Sequence, residues 1–219
     1  MKILTICPTF NRPELCAQML KSWHNTIGGD NTMVLGLDIS DPSLSAYPKD
    51  ANRVTCKANS TITEVINSIW ASNHDKYDFF HIINDDVLFH TPSYDKKMAY
   101  ILEGYGGGIA YGNDLFQGQA LPTFPFISAS LCTTLGWLQH PSLNRYCGDT
   151  VWASIGKECG CLYYLGEVII EHLHKLAGKG NTDIDMKVFQ DDWHAYIKWA
   201  MTEGNLDSNR VKGVLNGTS

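Results

Sequence analysis

The chain has 219 residues, 44% of them apolar and 18% charged, and a formal charge of −6 at pH 7. That suits one sizeable globular core and argues against a surface built to grip phosphate backbones. No run approaches the roughly 18 apolar residues of a membrane span. The opening MKILTICPTFNRPE meets proline and charge too early for a signal-peptide core, and seven cysteines without a CxxC pair suit reduced, mostly buried thiols in a cytoplasmic protein.

Residues 2–7 form a short apolar run ended by Pro8, the pattern of a buried strand. A helix is predicted over 13–25, with Pro13 in its first turn and Leu15, Met19, Leu20 and Trp23 on one stripe. The turn Gly28-Gly29-Asp30-Asn31 leads to a second strand, 32–37, ending at Asp38. Residues 53–56 read as a third strand. A helix over 60–72 follows, capped by Ser60 or Thr61, with Ile62, Val65, Ile66, Ile69 and Trp70 on one face. A fourth strand, 78–83, runs into Asn84-Asp85-Asp86, and Pro92 and Ser93 open a helix to about Tyr105. This βαβαβ opening predicts a Rossmann-like, mostly parallel sheet flanked by helices. Ligands of such sheets gather beyond the carboxyl ends of the strands. Three polar clusters fall there: Pro8-Thr9-Asn11-Arg12, Asp38 and Asp85-Asp86.

The second half is less regular. Residues 106–112 are glycine-rich around a short strand, 117–127 read as a loop and 128–138 as a short helix. A helix is predicted over 150–159 after Cys147-Gly148-Asp149. Residues 161–173 read as two short strands broken at Gly166, with Cys159 and Cys161 on one strand face. Gly178-Lys179-Gly180 is a flexible loop. A helix over 185–203 is given Val188, Trp193, Tyr196, Ile197 and Ala200 as its buried stripe, and 204–219 is read as a disordered tail.

Asp85-Asp86 is the sharpest chemical signal, because a surface turn needs only one acid and both flanks here are apolar. Hard divalent cations take a few carboxylates plus phosphate oxygens and water, and a departing diphosphate needs such a cation. Asp149 at a helix start is either an N-cap or a base. In Glu171-His172-Leu173-His174 the two histidines share one strand face, and neutral imidazole is a common metal ligand. Glu171 faces the other way, toward a basic partner or solvent. Lys175 and Lys179 bracket a loop suited to close over phosphate. The aromatics of 116–126 and Trp137 are core or a stacking platform.

Pro8-Thr9-Phe10-Asn11-Arg12, Asp38 and Ile83-Asn84-Asp85-Asp86-Val87, each after its strand, resemble the GT-A glycosyltransferases, especially the family-2-like group, over about residues 2–180. The usual acidic triplet stands here as Asn84-Asp85-Asp86, and Leu37 precedes Asp38 where a second acid is common. The resemblance implies one GT-A domain over 1–219, with a nucleotide-sugar half to about 112, an acceptor and catalytic half over about 113–203, and the tail. It implies a metal-dependent hexosyl- or pentosyltransferase using a nucleoside-diphosphate sugar, with uridine as the base. Pro8, Thr9, Asn11, Arg12, Asp38 and Asn84 then line the donor site, and Asp85 approaches the ribose or a metal-bound water. Asp86 and one of His172 and His174 bind Mn²⁺ or Mg²⁺, and Lys179 meets the diphosphate. Asp149 becomes the general base, and direct displacement inverts the anomeric centre. His140-Pro141 falls on the acceptor side, and Asp183 contacts the acceptor or pairs with Lys179. The acceptor stays open: a glycan, a lipid-linked, protein or nucleic-acid hydroxyl, including a hydroxymethylated DNA base if the source is a virus, when the compartment is the host cytoplasm. The alternatives are a non-catalytic carbohydrate- or nucleotide-binding protein on the same fold, or third a nucleotidyltransferase. The last needs a glycine-rich loop after the first strand, and residues 8–13 contain no glycine.

Overall fold

Alternating strands and helices build the first half: β1 (Lys2–Thr9), α1 (Pro13–His24), β2 (Asp30–Asp38), β3 (Asn52–Cys56), α2 (Ile62–Ala71) and β4 (Phe79–Ile82). The computed structural model describes residues 1–180 and 184–217. The second half adds β5 (Val87–Phe89), α3 (Tyr94–Gly104), β6 (Ile109–Asn113), β7 (Phe126–Ser128), α4 (Ala129–Leu135), α5 (Gly148–Cys159), β8 (Leu162–His172), α6 (Met186–Thr202) and α7 (Gly204–Leu215).

The strands form one sheet in the order β3-β2-β1-β4-β7-β6-β8-β5. The first four pair in parallel, as do β6 and β8, whereas β7 is antiparallel to both its neighbours and β5 is antiparallel to β8. β1 is buried from Ile3 to Thr9 because helices cover both faces of the sheet. One core packs α1 and α3 on one face, through Met19, Trp23, Tyr94 and Met98. The other packs α2, α4 and α5 on the opposite face, through Ile66, Trp70, Leu131 and Trp152.

Local signals account for the helix ends. Pro13 opens α1. Thr61 and Glu64 form a reciprocal capping box on α2, a motif whose cap alone stabilises by about 1 kcal/mol. Gly36 lets α2 lie close on β2, since a Cβ there would collide with Val65.

Four expectations are corrected. Residues 161–173 are not two strands but one, β8; the irregularity is a register shift opposite Gly112 and Asn113, where a Cβ on Gly112 would strike the Val168 carbonyl. Residues 204–215 are a helix with Val211 fully buried, not a tail. Cys159 ends α5 instead of sharing a strand face with Cys161. In α6 Trp193 and Ile197 are exposed, and the buried residues are Asp192 and Trp199. All seven cysteines are free thiols, five of them buried. Among the described residues no helix is long and apolar enough to cross a membrane.

Candidate active site

The polar clusters at the carboxyl ends of β1, β2 and β4 meet in one place. β1 delivers Thr9, fully enclosed, and the chain then turns through Asn11, whose φ of 55° is stabilised by Asp41 and Ser43. Thr9 Oγ1 donates to Asp85 Oδ2 at 2.6 Å, and Arg12 Nη1 donates to Asp85 Oδ1 at 2.8 Å. Both oxygens of Asp85 are therefore taken by the protein. Burial raises the pKa of Asp85 above the usual carboxylate range, although Arg12 and Thr9 pull it down.

Asp86 differs. Its Oδ2 lies 3.5 Å from Arg12 Nη1, and its Oδ1, fully enclosed, has no hydrogen-bond partner among the described residues. His172 Nε2 stands 3.5 Å from that Oδ1. The strand register explains the meeting: Val87 of β5 pairs with His172 of β8, and the Leu173 N–H donates to the Asp86 carbonyl. Burial alone would raise the pKa of Asp86. The adjoining His172 imidazole and the Arg12 cation outweigh it and hold the carboxyl below its ordinary range.

The two histidine rings meet edge to face at 4.9 Å, but their other partners differ. His172 is buried against Phe124 and turns toward Asp86. His174 stacks on Phe116 at 5.1 Å, and its Nδ1 accepts the Leu176 N–H. Among the described residues no three His, Cys, Asp or Glu side chains converge as a metal cluster. The donor set beside the unpartnered oxygen is one carboxylate and one imidazole, which fits a divalent cation that keeps phosphate and water as its other ligands.

Asp149 lies in the first turn of α5 but is not its N-cap. That place is held by Cys147 in the left-handed region, at φ 64° and without a side-chain cap bond. Asp149 Oδ1 accepts the N–H of Thr150 at 2.7 Å, and among the described residues no other residue donates to Oδ2. The side chain keeps some access to solvent yet is surrounded by protein. Burial raises its pKa; the Thr150 hydrogen bonds and the charge of His172 pull the other way without cancelling it.

The remaining expected residues are placed as follows. Pro8 is buried at the end of β1, and Asn84 is exposed at the rim. Asp38 is bonded inward: Oδ1 accepts from Ser40 N at 2.7 Å and Ser40 Oγ at 2.5 Å, and Oδ2 from Ser60 N at 2.9 Å. Desolvation pushes its pKa up, but these bonds win and hold it low. Lys179 Nζ pairs with Glu171 at 2.8 Å, and Glu171 also meets His90 at 2.8 Å, so Glu171 has the basic partners its outward face suggested. Trp137 is buried against Trp152 and His140, so both are core residues. Asp183 lies outside the described residues.

Sequence reasoning misses Tyr47 and Asp41. The buried Tyr47 hydroxyl donates to Asp41 Oδ2 at 2.9 Å, accepts the Arg12 N–H at 3.2 Å and lies 3.3 Å from Thr9 Oγ1. It ties the turn after β2 to the turn after β1. The only sequence signal is an Asp41-Pro42 turn in a stretch that otherwise reads as loop.

No protein-family model and no curated protein sequence matches the chain. Solved structures do. TarS of S. aureus in complex with UDP-GlcNAc superposes with a TM-score of 0.60 at 13% identity, over 78% of this chain and 57% of that one. The mannosyltransferase PcManGT of Pyrobaculum calidifontis, in complex with GDP-Man and Mn²⁺, gives 0.59 at 13% over 99% and 74%. Glucosyl-3-phosphoglycerate synthase of Mycobacterium tuberculosis, with Mg²⁺ and UDP, gives 0.58 at 14% over 84% and 73%. The fold is GT-A. The chain spans little more than half of that TarS chain and 36% of a longer one, and at these identities the GT-A likeness is one of architecture.

Proposed function

We propose that this GT-A chain is a glycosyltransferase that moves a sugar from a uridine-diphosphate sugar to an acceptor hydroxyl, with inversion at the anomeric carbon. The observation that carries the reading is the unpartnered, buried Asp86 Oδ1 facing His172 Nε2, at the rim where open α/β sheets bind ligands. The UDP, UDP-GlcNAc and GDP-Man complexes of the structural neighbours, with Mn²⁺ or Mg²⁺, support the donor class.

Asp86 and His172 are the residues that would hold a divalent cation, which when bound offsets the charge growing on the departing diphosphate. Arg12, fixed by Asp85 and partly exposed, keeps guanidinium N–H groups for phosphate oxygens. Pro8, Thr9, Asn11, Asp38 and Asn84 frame the nucleoside. Lys179 leaves Glu171 to meet the diphosphate, and His174 with Phe116 walls the sugar side. Asp149 accepts the proton of the acceptor hydroxyl as that oxygen attacks the anomeric carbon. The bond from that carbon to the phosphate oxygen breaks, and the nucleoside diphosphate leaves with the electron pair. The raised pKa of Asp149 makes it a better base than a solvated carboxylate.

A thermal-shift series with UDP and UDP-sugars, with and without Mn²⁺, tests the donor site, because a ligand of the folded form raises its melting temperature. We expect a shift with UDP that grows with Mn²⁺, and release of free UDP on turnover. No shift in either condition removes the reading.

A further inference from the structure

α6 carries large apolar residues on its open side. Trp193 is 43% exposed, and Met186, Ile197 and Met201 are exposed as well. The other five tryptophans are at most 7% exposed. Trp193 belongs to a run of rings. Tyr146 meets Phe189 at 5.8 Å, Phe189 lies nearly parallel to Trp193 at 6.4 Å and 16°, and Trp193 meets Tyr196 at 5.3 Å. Tyr146, Phe189 and Tyr196 are each half-buried, and the Arg145 guanidinium lies over the Tyr146 ring, 5.3 Å from its centroid.

Two anchors tie this ladder to the segment that bears Asp149. Asp192 is completely buried, and its Oδ1 accepts the N–H and the Nδ2 of Asn144 at 2.8 and 2.9 Å. Its Oδ2 accepts the N–H groups of Arg145 and Tyr146 at 2.8 and 2.7 Å. This loop runs straight into Gly148-Asp149. At the other end the Tyr196 hydroxyl lies 3.0 Å from Ser154 Oγ on α5. Tyr146 is three residues from Asp149, so their Cα atoms are at most about 11 Å apart.

We propose that Tyr146, Phe189, Trp193 and Tyr196 form a carbohydrate-binding ladder that holds the body of a neutral oligosaccharide acceptor while its terminal hydroxyl reaches Asp149; this rests on the glycosyltransferase reading. Amphipathic rings in a row offer the apolar C–H faces of successive sugars a surface to stack on, with polar edges left for their hydroxyls. A single nucleic-acid strand also stacks on aromatic rings, but its platforms are paired with a basic groove. Here the chain carries −6; among the described residues Arg145 stands alone over the Tyr146 ring, and Asp185 at the N-cap and Asp191 offset Lys187 and Lys198 of α6. The ladder begins at Tyr146, three residues before Asp149 in the chain, which argues for an acceptor over an unrelated protein partner.

The test uses the full chain against an array of neutral oligosaccharides, with hits repeated in solution by tryptophan fluorescence. Trp193→Ala changes an exposed side chain, and an unchanged melting temperature checks its fold. We expect binding of a neutral oligosaccharide, a loss of tenfold or more in Trp193→Ala, recovery in Trp193→Phe, and unchanged UDP binding in both variants. The ladder is overturned if no neutral oligosaccharide binds, if Trp193→Ala binds as well as wild type, or if oligo-dT is preferred. It also falls if light scattering shows a dimer that Trp193→Ala dissociates. UDP binding is a separate arm: its absence beside Trp193-dependent glycan binding removes the transferase reading and keeps the ladder.

Discussion

On the wall built by the turns after β1, β2 and β4, the carboxylates are occupied by the protein itself. Asp85 is held by Thr9 and Arg12, Asp38 by Ser40 and Ser60, and Asp41 by Asn11, Ser43 and Tyr47. On the wall formed by β5, β8 and α5, polar atoms are left over. Among the described residues Asp86 Oδ1 and His172 Nδ1 are buried without a hydrogen-bond partner, and Asp149 Oδ2 receives no bond from another residue. Buried polar atoms are nearly always satisfied; the first wall is a frame finished within the protein, while the second is left incomplete. In the proposed reading the acidic pair divides its labour: Asp85 fixes Arg12, and Asp86 takes the cation.

Substitutions on the incomplete wall test this contrast hardest. Asp149→Asn should lower kcat by about 10²- to 10⁴-fold, the usual worth of a general base, with UDP affinity unchanged in a binding titration. The same residue sets a pH signature. Its carboxyl titrates above the ordinary range, and the base form is the deprotonated one. The kcat/KM profile should therefore fall as pH drops through a value higher than that of a solvated aspartate. The sign for stability is opposite, since the charged form is disfavoured in the folded state. Asp149→Asn should melt no lower than wild type at pH 7, and a lower melting temperature would mean that the carboxylate is structural.

Next come Asp86→Asn and His172→Ala, which should weaken Mn²⁺ binding, followed by electron paramagnetic resonance without nucleotide, by tenfold or more. His174→Ala should not. Equal losses from both histidines would erase the distinction between them.

The finished wall should respond in stability instead. Tyr47→Phe strips a hydroxyl from Asp41, Thr9 and the Arg12 N–H, and should cost about 1–3 kcal/mol in urea unfolding, the range for leaving buried polar groups unpaired. Lys179→Ala should change stability by less than about 1 kcal/mol, because half-exposed ion pairs contribute little. A raised KM for donor in that variant would show Lys179 leaving Glu171 for phosphate.

The parallel half of the fold was legible because its strands are continuous apolar runs and its helices carry long stripes. β5 and β7 were not, since three residues are too few to reveal a period. Gly166 read as a break, yet β8 passes through it because its pairing with β6 is offset and not ended. In α6 the apolar stripe does not mark the inner face, because Trp193 and Ile197 point to solvent. There the buried position goes to Asp192, which four backbone and side-chain donors satisfy, and the rings face out. Asp85 and Asp86 stood out as acids directly after a buried strand. Tyr47 did not, since its partners Thr9, Arg12 and Asp41 come from two separate turns, and no local pattern announces such a bond.

The pairing of β5 with β8 has a consequence for biosynthesis. Asp86 leaves the ribosome early, but His172 follows only after most of the chain has emerged, and contacts so distant in sequence form late. A polypeptide that stops before β8 lacks His172, so in the proposed site it would hold only half of the cation's protein ligands, and tight cation uptake would begin only once translation has run past residue 172.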